Sequence, residues 1–188
     1  MCWSADGSLK TYMFGAILAA VYKSQGVLDP HMWLLMTVFT HMQLVEYFLW
    51  KNLNAPAANT FWSGAGAALL FAQPIISAML LKKGLRNKLW LVYLLGAATY
   101  FATRKVDLST EVGDNGHLKW NWITSFTSPW ALAWLAMLVG PMLLTGHNSA
   151  AAFIVATYVA SAYFNDKYGT AGSYWCWFAI ATWLLAWI

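Results

Sequence analysis

Seven apolar runs follow one another along this chain, and the third to seventh carry no charged residue in their interior. They cover 9–22, 32–50, 61–81, 89–102, 130–144, 150–164 and 174–188, each bracketed by a turn or charge signal. Asp29-Pro30 and Ser128-Pro129 open the second and fifth as helix starts. Lys82-Lys83-Gly84 and Arg104-Lys105 close the third and fourth. Only the second and third reach roughly the 20 residues of a full membrane crossing. The other runs are shorter and need their polar flanks, tilt or a thinned bilayer to cross. Short apolar runs also serve as buried core helices, so apolar character alone does not count the spans.

Composition decides which solvent faces the surface. Of 188 residues, 60% are hydrophobic and 10% charged, with 11 basic and 7 acidic side chains. A soluble domain carries roughly 25% charged residues. Eighteen charges cover a wet surface of this size poorly, so lipid is expected around most of it. Thirteen Trp residues fit the same setting, because an indole buries its ring while its N–H stays near water at the headgroups. The expected fold is an all-α integral membrane bundle of about seven transmembrane helices, in one domain spanning 1–188.

The net charge of +4 does not point to nucleic acid, since the basic residues sit at the ends of runs and suit anionic headgroups. The segment before Lys10 contains Asp6 and no basic residue, unlike a cleavable signal peptide. Cys2 stands where N-myristoylation needs glycine. Cys2 and Cys176 lie near opposite ends of the chain and imply no disulfide framework. The dense basic cluster Lys82, Lys83, Arg86 and Lys88, placed in the cytoplasm, puts the N-terminus outside and the C-terminus inside.

Residues 106–123 form the one sizeable extramembrane piece. Asp114-Asn115-Gly116 is a turn signal, and His117-Leu118-Lys119-Trp120-Asn121-Trp122 then alternates polar and apolar. A small hairpin or lid on the membrane surface is expected between the fourth and fifth helices.

Glu46 is the one acidic residue deep within a run. An ionised carboxylate at mid-membrane costs roughly 2.5–3.5 kcal/mol on insertion scales, so Glu46 is expected protonated, hydrogen-bonded or facing a wet cavity. Helical spacing sets Thr40, Gln43, Glu46, Tyr47 and Trp50 on one stripe. That stripe is either an interhelical hydrogen-bonding seam or a proton- or ligand-binding site. Gln73-Pro74 interrupts the third run, where proline frees a carbonyl one turn back and Gln73 can satisfy it or line a site. Gly140-Pro141 is the matching break in the fifth. His31 and His41 are ten residues apart, about 15 Å along a helix, too far to share a metal ion. His41 lies off the stripe and reads as a hydrogen-bonded core histidine, with proton relay or haem ligation as the alternative. His117 and His147 fall in loops. No His/Cys cluster has metal spacing, and no lysine in the last run offers a retinal Schiff base.

The opening Met1-Cys2-Trp3-Ser4-Ala5 with Ser8-Leu9 resembles the start of an uncharacterised family of small polytopic membrane proteins of algae, other protists and giant viruses. Gln43-Leu44-Val45-Glu46-Tyr47-Phe48-Leu49-Trp50, Gln73-Pro74 and Gly116-His117-Leu118-Lys119-Trp120-Asn121-Trp122 are similar to it as well. The resemblance implies a multi-span fold and no particular activity.

These features lead to two expectations. The first is a small transporter or ion/proton channel in a lipid bilayer, with Glu46, Gln43, Tyr47, Gln73 and His41 around its polar site. The second is a ligand- or pigment-binding membrane protein, alone or as a subunit of an oligomer or larger assembly. The clustered aromatics Tyr174, Trp175, Trp177, Phe178, Trp183 and Trp187 suit an apolar or flat ligand. Which cofactor, if any, the sequence does not say. An enzyme ranks last, because no catalytic constellation stands out beyond Glu46 with His41.

Overall fold

The computed structural model describes residues 4–123 and 125–185. Cys2, Trp187 and the Met-Cys-Trp opening lie outside the described residues. The fold is mostly helical: α1 Ala5–Gln25, α2 Pro30–Lys51, α3 Pro56–Ser77, α4 Lys83–Thr103, α5 Pro129–Leu144, α6 Asn148–Asn165 and α7 Ala171–Ile180. Between α4 and α5 lie β1 Thr110–Val112 and β2 Leu118–Trp120, an antiparallel pair in which Glu111 faces Lys119.

The first helices outrun their apolar runs because caps sit in the polar flanks. Ser4 accepts from the Gly7 N–H, and Asp29 accepts from the N–H groups of His31 and Met32. Pro30, Pro56 and Pro129 occupy first-turn positions that need no N–H donor. Gly26 ends α1 at φ 62°, and its N–H returns to the Tyr22 carbonyl. The first four helices run 21 or 22 residues, so each is ~32 Å long. The seventh differs from the single run expected at 174–188. Its α-helix is shorter, and a 3-10 stretch, Ala181–Leu185, follows it.

By length and hydropathy, Pro56–Leu80 is the one helix among the described residues apolar enough to cross a membrane unaided. Its neighbours α1, α2 and α4 are as long but carry charges, including Lys10 in α1, Glu46 in α2 and Arg86 in α4.

The first four helices alternate in direction. Tyr12 of α1 meets His41 of α2, Phe48 of α2 stacks on Trp62 of α3, and the Trp90 indole of α4 donates to the Ile75 carbonyl of α3. The central element is α2, packed against α1, α3 and α7, with Leu35, Met42 and Leu49 fully buried. Close approach depends on small residues at the α1–α2 contact. A Cβ on Gly15 would come within 2.7 Å of the Thr40 side chain.

The hairpin is plugged into one end of the bundle. Asn59 and Thr110 exchange two hydrogen bonds, side-chain amide to carbonyl and backbone N–H to side-chain oxygen, both at 2.9 Å. Ser63 and Thr110 bring their hydroxyls to 2.7 Å. The expected alternation holds from Leu118 on, with Leu118, Trp120 and Trp122 buried and Lys119 and Asn121 not, but it breaks at His117, which is buried as well. Gly116 takes φ 77° in the turn, where glycine has no side-chain penalty. The hairpin is thus an integral cap, more firmly attached than a lid resting on a surface.

The basic cluster also sits differently from the sequence reading. Lys83, Arg86 and Lys88 belong to the first turns of α4, where cations oppose the helix dipole. Arg86 lies against the Trp90 ring at 5.1 Å.

Candidate functional site

Two gatherings of polar and aromatic side chains bear on a binding site: the polar stripe on α2, and a cleft between α3, α4 and α5.

On the stripe, Gln43 and Glu46 are completely buried, and the Gln43 amide donates to a Glu46 carboxyl oxygen at 3.2 Å. Their spacing of three residues places them on one helical face, as the sequence suggests. Thr40, one turn earlier, accepts from the Trp183 indole at 3.0 Å and donates to the Met36 carbonyl. Cys176 of α7 is buried and free of any disulfide. Tyr47 is half-buried against the Phe48 ring.

The other expected members lie apart. His41 points toward α1, its ring edge-on to Tyr12 and its Nδ1 2.8 Å from the Thr37 carbonyl. Gln73 is fully buried, and neither of its amide atoms has a hydrogen-bond partner among the described residues. Phe48 faces Trp62, and a Cβ on Gly66 would meet Val45. Glu46 is therefore level with the neighbourhood of Gly64, and Gln73 is level with the neighbourhood of Thr37. About nine residues of helix, ~14 Å, separate the two levels. Glu46 and Gln73 do not converge on one site.

The cleft, with a volume of about 390 Å³, lies elsewhere. It falls within the roughly 300–1,000 Å³ usual for small-molecule pockets. Phe71, Tyr93, Tyr100, Trp130 and Trp134 supply aromatic walls, and Gly96 keeps one side low. A Cβ added to Gly96 would meet nothing within 4 Å.

Four polar handles in these walls are directed to main-chain carbonyls. Tyr93 donates to Phe71 at 2.9 Å, Tyr100 to Trp122 at 3.4 Å, Trp134 to Leu70 at 3.1 Å and Tyr158 to Phe126 at 2.8 Å. The Leu70 bond has a local cause. Pro74 has no N–H, so the carbonyl four residues earlier lacks its helical donor, and the Trp134 indole replaces it. The Gln73-Pro74 break thus shapes the cleft wall, a role different from lining a site with Glu46. With these four engaged, the cleft presents mainly hydrocarbon and ring faces to an occupant, and the buried indole N–H of Trp122, also in the lining, has no partner among the described residues.

None of the expected site residues lines this cleft. The available signal was the pair Tyr93 and Tyr100, seven residues apart and separated by Gly96-Ala97-Ala98, with Trp130 and Trp134 at helical spacing in α5. Reading it required knowing that α4 and α5 face one another. Among the described residues, no group of three or more His, Cys, Asp or Glu side chains is placed to hold a metal ion.

On the hairpin, burial lowers the pKa of His117, whose ring meets Tyr174 edge-on at 5.4 Å. The Glu111 carboxylate, 2.8 Å away, raises that of Lys119. No protein-family model, curated protein or solved structure matches this chain.

Proposed function

We propose that this chain is a multi-pass membrane protein that binds an apolar molecule drawn from the bilayer, in the cleft between α3, α4 and α5. The membrane part rests on the outer surface of the bundle. Large apolar side chains are exposed on α1, α3, α4, α5, α6 and α7, among them Ile17, Phe61, Leu91, Leu144 and Val159. Soluble monomers rarely expose apolar patches beyond a few hundred Å². Helices of ~32 Å also match a hydrocarbon core of about 30 Å. The basic start of α4, set against its own dipole, suits anionic headgroups and supports the orientation with that end and the C-terminus in the cytoplasm and the N-terminus outside.

The observation that carries the binding reading is the cleft itself, with its tyrosine and Trp134 donors tied to backbone carbonyls. A site whose tyrosine and Trp134 donors are already tied to the protein favours a largely apolar ligand at that depth. The test is organic extraction and mass spectrometry of the protein purified in mild detergent, alongside Gly96→Leu. A defined apolar compound should accompany the wild type and be depleted in the variant. Equal amounts in both would refute the assignment.

Transport remains a second reading because Glu46 is a fully buried acid bonded to Gln43. In that reading Glu46 exchanges a proton, and Glu46→Gln abolishes proton flux into liposomes. Flux unchanged by the substitution would remove Glu46 from the mechanism.

A further inference from the structure

We infer that the occupant of the cleft is a long-chain fatty acid, with its tail between α4 and α5 and its carboxylate on Arg104. This rests on the cleft reading above and adds the chemistry of the ligand's head and the number of its chains.

Tyr100 joins the two ends of the site. Its ring lines the cleft, and the Arg104 guanidinium lies over that same ring at 5.4 Å. Arg104 is the residue just after α4 ends, exposed, at the end of the bundle that carries the hairpin. In a bilayer this is headgroup depth, one helical turn beyond the apolar wall. Among the described residues the ion pairs are Asp29 with His31 and Glu111 with Lys119, so no carboxylate, Asp107 included, is paired with Arg104. An arginine oriented by an aromatic ring and free to bond is suited to a planar carboxylate in bidentate fashion.

The volume favours one chain. About 390 Å³ holds on the order of a dozen methylene groups, if each takes about the 30 Å³ of a molecule in liquid water. A two-chain phospholipid would leave a tail outside. Entry is lateral, because Val92 both lines the cleft and is exposed on the outer face of α4.

The experiment titrates full-length protein in nanodiscs with a fluorescent polyene fatty acid and with the alcohol of the same chain. Wild type should bind the acid about tenfold or more tightly than the alcohol, the scale of a hydrogen bond to a charged group. Arg104→Gln, at an exposed position, should erase that preference and leave alcohol binding unchanged. A preference that survives Arg104→Gln overturns the headgroup assignment while the cleft stands. Gly96→Leu, with Ala136→Phe as a second filling variant, should weaken both probes. If a folded filling variant binds both as wild type does, the cleft reading fails, and this inference with it. Displacement of the acid by phosphatidylglycerol vesicles more effectively than by unlabelled fatty acid overturns the single-chain assignment.

Discussion

The Trp134 indole donates to the Leu70 carbonyl across 3.1 Å, the oxygen that Pro74 leaves without its helical donor. One side chain of α5 thereby repairs a break in α3 and sets a wall of the cleft.

Trp134→Phe should therefore lower stability by about 1–3 kcal/mol, the cost of leaving a buried carbonyl unsatisfied. The same substitution in a Pro74→Ala background should cost less, because an alanine in place of the proline offers its own N–H to the Leu70 carbonyl. Thermal unfolding of the four proteins in one detergent gives the coupling between the two positions. Equal losses in both backgrounds would break the link between them.

Glycines at two sites should respond in opposite directions. A Cβ on Gly172 would sit 2.7 Å from the Trp120 ring, which is buried beneath the hairpin and has little room to shift. Gly172→Ala should destabilise by about 1–3 kcal/mol, the usual cost of overpacking. Gly96, inside α4, has nothing within 4 Å of such a Cβ. Gly96→Ala should be neutral or stabilise by up to about 1 kcal/mol through helix propensity. Melting temperatures of the two variants check the contrast, and loss of stability in both would contradict the packing described.

Acid should loosen the hairpin end through His117. Burial lowers its folded pKa below the unfolded value of about 6.5, so the folded state favours the neutral ring. The stability linked to His117 is fully present above about pH 6.5 and is lost as the pH falls below it, because the unfolded chain takes up the proton first. His117→Gln should flatten the melting temperature between about pH 7 and pH 5. Parallel profiles for wild type and variant would exclude His117 as a source of the pH dependence.

What the sequence determined by itself was local. Seven apolar runs with Asp29-Pro30 and Ser128-Pro129 starts became seven helices, because caps and turns depend on neighbours a few residues away. Asp114-Asn115-Gly116 and the alternation at Leu118, Trp120 and Trp122 marked the hairpin and its buried face for the same reason. The pairing of Gln43 with Glu46 was legible because both lie on one helix. Which helices meet, and at what level, was decided only by tertiary packing. Antiparallel docking of α2 on α3 set Gln73 about 14 Å from the level of Glu46, and the apposition of α4 with α5 joined Tyr100 to Trp130. Those contacts couple residues tens of positions apart, and the geometry of the interface between helices, absent from any local pattern, brings them together.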